Sequence, residues 1–270
     1  MRFSLFGIPT LVHPGFWFVA GLLGLDFLSS PYKVLLLVWI AIVFVSILVH
    51  ELGHALACIR YGLSPSIELH MMGGLCAYSG GHTLSRGQHM FISFAGPLAG
   101  FVLGGLIWGV TQAFPGLMSP TSFDAITAAE VVRIHGLRMF MGVNIIWGMV
   151  NLVPVLPLDG GHILEYALGP KRQKMTAIIS LATGIGVALL CLAKKDFVES
   201  NLGISAFYTA FLFGMFALHS FQRFRNSGDI EPEVQGRHEH RRVAEQIEDL
   251  PPEVAAQLAT ARAALADDEF

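Results

Sequence analysis

Leu48-Val49-His50-Glu51-Leu52-Gly53-His54-Ala55-Leu56 is the stretch around which the rest of the chain is arranged. It is an H-E-x-x-H sequence. On a helix, residues four apart project from one face, one turn above the other. Two imidazoles at that spacing can grip one zinc ion, and Glu51 between them is placed to hold and deprotonate a water molecule. The motif ends an uncharged run, Val34 to Val49. A helix through this run into the motif is long enough to lie in a bilayer. An ionisable group in such a helix is costly to bury and is a functional-site candidate by default.

Working outward, the whole chain supports that setting. It has 270 residues, 53% hydrophobic and only 14% charged, with a mean hydropathy of +0.59. A soluble domain carries about 25% charged residues, so a soluble core helix holding a paired carboxylate is the weaker reading. The net charge of −3 gives no electrostatic footprint for a nucleic acid. Cys58, Cys76 and Cys191 are scattered, with no C-x-x-C spacing, and imply neither a disulfide scaffold nor a cysteine zinc site. Cys58 follows His54 by four residues and could reach the same ion. A packed small residue is the better account, because a catalytic zinc keeps an open position.

The predicted fold class is an all-α polytopic membrane protein with about six transmembrane helices and a small membrane-associated β-sheet near the site. The first fourteen residues do not read as a signal peptide, because Gly7, Pro9 and Pro14 interrupt the apolar stretch. Phe3 and Leu5 alternate with Arg2 and Ser4, as in a short strand. Spans are expected over Gly15–Leu28, through the motif to about Arg60, and over His89–Ala113, Leu137–Val153, Thr176–Ala193 and Ile204–Phe221. Between the second and third, Ile67, Leu69 and Met71 alternate with polar residues, and Gly73-Gly74 and Gly80-Gly81 punctuate them. This segment reads as strands and turns. His70, His82 and His89 lack ligand spacing to one another and read as exposed or interfacial.

In the third span Gly96, Gly100 and Gly104 recur every four residues, a small-residue face for close helix packing. Phe114 to Gly136 reads as a loop. Asn144 and Asn151 lie on one face of the fourth span, which breaks at Pro154 and Pro157 before Leu158-Asp159-Gly160-Gly161. With the N-terminus in the cytoplasm, the inside segments hold more Lys and Arg than the outside loops, in keeping with the positive-inside rule. The chain divides into a membrane-embedded domain, 1–222, and a charged cytosolic tail, 223–270. The tail holds about half of the acidic residues, and a short helix is expected after Pro251-Pro252. No added soluble domain is expected.

A catalytic zinc takes three protein ligands plus water, so a third ligand is needed. Asp159 is the best candidate, beside glycines that allow close backbone approach. A helix or turn cap is an equally ordinary role for an aspartate there, and spacing alone leaves the two open.

His50-Glu51-Leu52-Gly53-His54, Gly73-Gly74, Ala95-Gly96-Pro97-Leu98 and Asn151 through Gly161, with its N-x-x-P-x-x-x-L-D-G pattern, resemble the landmarks of the site-2 protease family. Phe6-Gly7-Ile8-Pro9 and Val12-His13-Pro14 fit the family's opening. These proteins are intramembrane zinc metalloproteases, and the resemblance extends to about Phe221. It implies one zinc per chain on His50, His54 and Asp159, with Glu51 as catalytic base. Asn151 would lie near the scissile carbonyl, and Gly73-Gly74 would help to hold substrate as an extended strand. The expected partners are the lipid bilayer and a membrane protein with a transmembrane segment, cut in regulated intramembrane proteolysis at the cell membrane. Leu156 stands where many members have proline, and the PDZ or CBS domains of some members are not expected. The competing readings are a zincin using Glu130 or Glu165 as third ligand, and a non-proteolytic zinc scaffold or transporter. The oligomeric state has no signature in the sequence.

Overall fold

The structure, a computed structural model, describes residues 1–80, 83–121, 126–198 and 205–226. It opens with a hairpin of β1 (Arg2–Leu5) and β2 (Ile8–Val12). Phe6 and Gly7 turn it with φ of 52° and 80°, the positive pair that a tight primed turn requires. Helix α1 (Pro14–Leu23) starts on a proline, where the missing N–H costs nothing. The long helix α2 (Val34–Arg60) carries the H-E-x-x-H motif. Strands β3 (Ser64–His70) and β4 (Gly73–Ser79) follow. The remaining helices are α3 (Arg86–Ala113), α4 (Ala128–Asn151), α5 (Asp159–Leu168), α6 (Gln173–Ala193), the single turn α7 (Lys195–Phe197) and α8 (Ala206–Asn226).

The four strands form one sheet in the order β1-β2-β3-β4. β2 and β3 are parallel and the outer pairs antiparallel. Ile8 and Val12 of β2 and Ile67 and Leu69 of β3 bury one face of the sheet against Phe16 of α1 and Val43, Ile47 and Ala55 of α2. The sheet is therefore fastened beside the motif turn of α2. β4 ends the strand order, so its outer edge carries no strand among the described residues.

Among the described residues, three stretches are long and apolar enough to cross a membrane: Val34–Arg60, Arg86–Ala113 and Pro170–Ala193. The expected first span is shorter than its apolar run. α1 ends at Leu23 and a 3₁₀ turn, Leu25–Ser29, follows. Ten helical residues rise about 15 Å, half of a hydrocarbon core of about 30 Å. The Trp39 indole N–H donates to the Ala20 carbonyl at 3.0 Å, and Trp39 and Leu36 fill the space that a side chain at position 24 would need.

The expected loop to Gly136 is also shorter. Thr127 and Glu130 form a reciprocal capping box that starts α4 at Ala128, and the Glu130 carboxylate also accepts from the Thr121 backbone and hydroxyl. The hairpin partner β2 and the helix α5 carry no separate signal in the sequence. The helix expected after Pro251 and His82 lie outside the described residues.

The small-residue face of α3 is used as its spacing predicts. A methyl at Gly53 of α2 would overlap the Ala95 carbonyl and the Ala99 side chain. Gly100 and Gly104 bring α3 against Asn144 and Ile145 of α4. Gly53→Ala should lower the melting stability of the detergent-solubilised protein by about 1–3 kcal/mol, the usual cost of overpacking. Gly105→Ala, which meets nothing within 4 Å, is the control and should change it little.

Candidate metal centre

Two imidazoles and one carboxylate converge. His50 and His54 project from the same face of α2, with their Nε2 atoms 3.2 Å apart and their rings crossed edge to face at 4.9 Å. Asp159, the first residue of α5, brings Oδ2 to 3.1 Å from His50 Nε2 and Oδ1 to 3.3 Å from His54 Nε2. One ligand atom from each of the three lies within 4.8 Å of the others, with both histidines buried. The α5 N-cap is Leu158, not the aspartate, so Asp159 is free of the capping role and turns to the imidazoles. A methyl at Gly160 would overlap the Leu152 carbonyl, and one at Gly161 the backbone of Val155 and Leu156. The two glycines thus let the chain fold back tightly enough to present the carboxylate.

The donors suit a zinc ion. Imidazole nitrogen and carboxylate oxygen are the zinc ligands of hydrolytic sites, and three of them leave a fourth position open. His54 Nδ1 donates to the Ile92 carbonyl at 2.6 Å, which leaves Nε2 as the lone-pair nitrogen facing the cluster. The buried Glu51 and Asp159 form no ion pair with lysine or arginine among the described residues. A divalent cation would balance the buried Glu51 and the half-buried Asp159, which otherwise face imidazoles alone.

The walls of the site are glycine. A methyl at Gly74 of β4 would overlap the Glu51 carboxylate, and one at Gly96 of α3 would overlap the His54 ring. β4 therefore runs directly across Glu51, and α3 directly behind His54. Gly73 lies beside the indole of Trp147 on α4. Asn151 closes α4, is buried, and donates its amide to the Trp147 carbonyl at 3.0 Å.

The other candidates are elsewhere. Cys58 packs in an apolar cluster with Ala57, Leu63, Ile92 and Ala95, and does not belong to the metal group. Glu165 pairs with Arg223 at 2.5 Å, while Glu130 caps α4, so neither serves as third ligand. His70 accepts from the Met72 amide. His89 stacks on Tyr166 and bonds Tyr78. Two further supports of the site are Gly96, against the His54 ring, and the Ile92 carbonyl. Gly96 is legible in the sequence as a packing residue, whereas a backbone carbonyl leaves no mark there.

Comparison with known proteins agrees with the geometry. The chain is 28% identical over 246 residues to a relative from Synechocystis sp., covering 86% of this chain and 61% of that one. It is 28% identical over 192 residues to a zinc metalloprotease of Methanocaldococcus jannaschii, covering 69% of this chain and 50% of the relative. It thus spans about half to three fifths of the length of these relatives. Among solved structures, the site-2 protease from M. jannaschii superposes with a TM-score of 0.52 at 25% identity, covering 83% of this chain and 94% of that chain. Peptidase family M50 matches residues 38–193, from the motif helix through Asp159 to the end of α6, and the chain belongs to that family.

Proposed function

We propose that this protein is an intramembrane zinc metalloendopeptidase that cuts membrane proteins within or beside their transmembrane segments. The observation that carries the reading is the convergence of His50, His54 and Asp159, from two helices far apart in sequence, beside the buried Glu51. In this reading the chain crosses the cell membrane about six times with both ends cytoplasmic. The supporting features are the apolar helices and the lysine and arginine bias of the alternating loops. The charged tail beyond 222 is an appendage outside the chemistry.

His50, His54 and Asp159 would hold one zinc ion per chain. Zinc bound there supplies a Lewis acid that brings the pKa of a bound water towards 7 and polarises the scissile carbonyl. Glu51 takes the proton from the attacking water and returns it to the leaving nitrogen. Asn151 is assigned to the scissile carbonyl. A transmembrane helix hides its amides in its own hydrogen bonds, so it must unwind before it can be cut. The outer edge of β4 offers replacement bonds to an extended segment. Gly73 and Gly74, where β4 crosses Glu51, let that segment lie close to the base.

Glu51→Gln should abolish cleavage by reconstituted protein while zinc content, measured by elemental analysis, stays near one per chain. Retained turnover above a few per cent would remove Glu51 from the chemistry, and unimpaired function of any other kind would point to a scaffold. A chain ending at Arg225 should keep both zinc and cleavage. Loss of cleavage in a folded, zinc-loaded truncation would make the tail part of the machinery.

The substrate class has its own test. A single membrane segment trimmed of its outer domain should be cut by the reconstituted protein. It should be cut more slowly once its helix-breaking residues are replaced by leucine. Efficient digestion of soluble casein, with no membrane segment cut, would contradict the proposal.

A further inference from the structure

The two histidines of the metal group are not supported alike. His54 is held through its second ring nitrogen by the Ile92 carbonyl. His50, only 4% exposed, has no protein partner at Nδ1. A histidine that offers Nε2 to a metal carries its proton on Nδ1, and that N–H is almost always given to an acceptor that fixes the ring. A buried donor left without one costs about 1–3 kcal/mol.

Among the described residues, the other buried side-chain atom without a protein partner is Asn144 Oδ1. Asn144, 2% exposed, sits on α4 where α2, α3 and α4 meet. Its amide nitrogen donates both hydrogens, to Ser46 Oγ at 2.9 Å and to the Phe140 carbonyl at 2.8 Å. Two acceptors around that nitrogen fix which way the amide faces, so Oδ1 is left as an acceptor. Ser46 is four residues before His50, one helical turn of about 5.4 Å along the same face of α2. The residues that carry the unpaired donor and the unpaired acceptor thus flank the same serine: His50 follows it by one turn of α2, and Asn144 is bonded to it. Gly100 of α3 leaves Asn144 Oδ1 uncrowded, since even an added methyl there would stop 3.9 Å away.

We infer that Asn144 is a positioning residue for the metal ligand His50, its side-chain carbonyl accepting from the Nδ1 proton directly or through one water molecule. This rests on the assignment of His50 as a ligand. It explains why an asparagine is buried against a serine in an otherwise apolar helix interface. A pair that only joined α2 to α4 would need no acceptor left over.

The experiment is zinc affinity, measured by competition with a chromogenic chelator on full-length protein in detergent, with melting temperature as the check on folding. Asn144→Leu should bind zinc about 10–100-fold more weakly than wild type, the usual effect of losing such a support. Asn144→Asp, which keeps an acceptor, should remain within about threefold. Folded Asn144→Leu with wild-type affinity would overturn the inference, as would folded Asn144→Asp as weak as Asn144→Leu.

A measurement without variants stands beside it. Zinc-loaded wild type with nitrogen-15 histidine should show two imidazole Nδ1 protons protected from exchange, one for each ligand ring. A single protected proton, that of His54, would mean that His50 has no such partner. Wild type that fails to bind zinc at all would instead overturn the metal reading itself.

Discussion

Burial of three ionisable side chains in apolar helix packing, with a half-buried carboxylate turned onto them, is the constraint on which the rest of the structure depends. His50, Glu51 and His54 are each no more than 7% exposed, and the Asp159 carboxylate reaches both imidazoles. Groups of this kind are tolerated at such depth only when their charges and hydrogen bonds find partners. Everything near them serves that end. The Ile92 carbonyl takes one ring proton, α5 turns on two glycines to deliver a carboxylate, and α3 and β4 approach through glycine because no side chain fits. A divalent cation held by His50, His54 and Asp159 would complete the balance. The same burial makes the cluster chemically useful, since charges act strongly where water is scarce.

The sheet and the helices divide the work. The helices fix His50, His54 and Asp159, the candidate ligands, which need rigid placement. The sheet, anchored by Ile8, Val12, Ile67 and Leu69 against α1 and α2, lays its last strand across Glu51. An unpaired edge is ordinarily a liability. Here Gly74 brings it into contact distance of Glu51, and under the proposed function a stretched peptide would find its backbone partners there.

Much of this was legible in the residues, for identifiable reasons. The motif helix and the strands after it carry strong periodicities, and α2, β3 and β4 fall where those patterns place them. The small-residue face of α3 is used as its spacing predicts. His50 and His54 follow from helical geometry alone. Asp159 did not: its spacing allowed a cap as readily as a ligand, and only the fold brings it across more than a hundred residues to the imidazoles. The end of α1 was misplaced because an apolar run does not reveal a neighbouring tryptophan taking a carbonyl of its last turn. The start of α4 was misplaced because the capping box at Thr127 lies before the apolar run that marks the helix. Ser46 and Asn144 stood in the sequence as polar residues in apolar spans, but their pairing is long-range.

X-ray absorption at the zinc edge of the purified protein tests the central claim most directly. The account predicts one zinc per chain with only nitrogen and oxygen neighbours, at about 2.0–2.2 Å, and loss of that signal in Asp159→Ala. A sulfur shell at about 2.3 Å, or an unchanged spectrum when Asp159 is replaced, would contradict it.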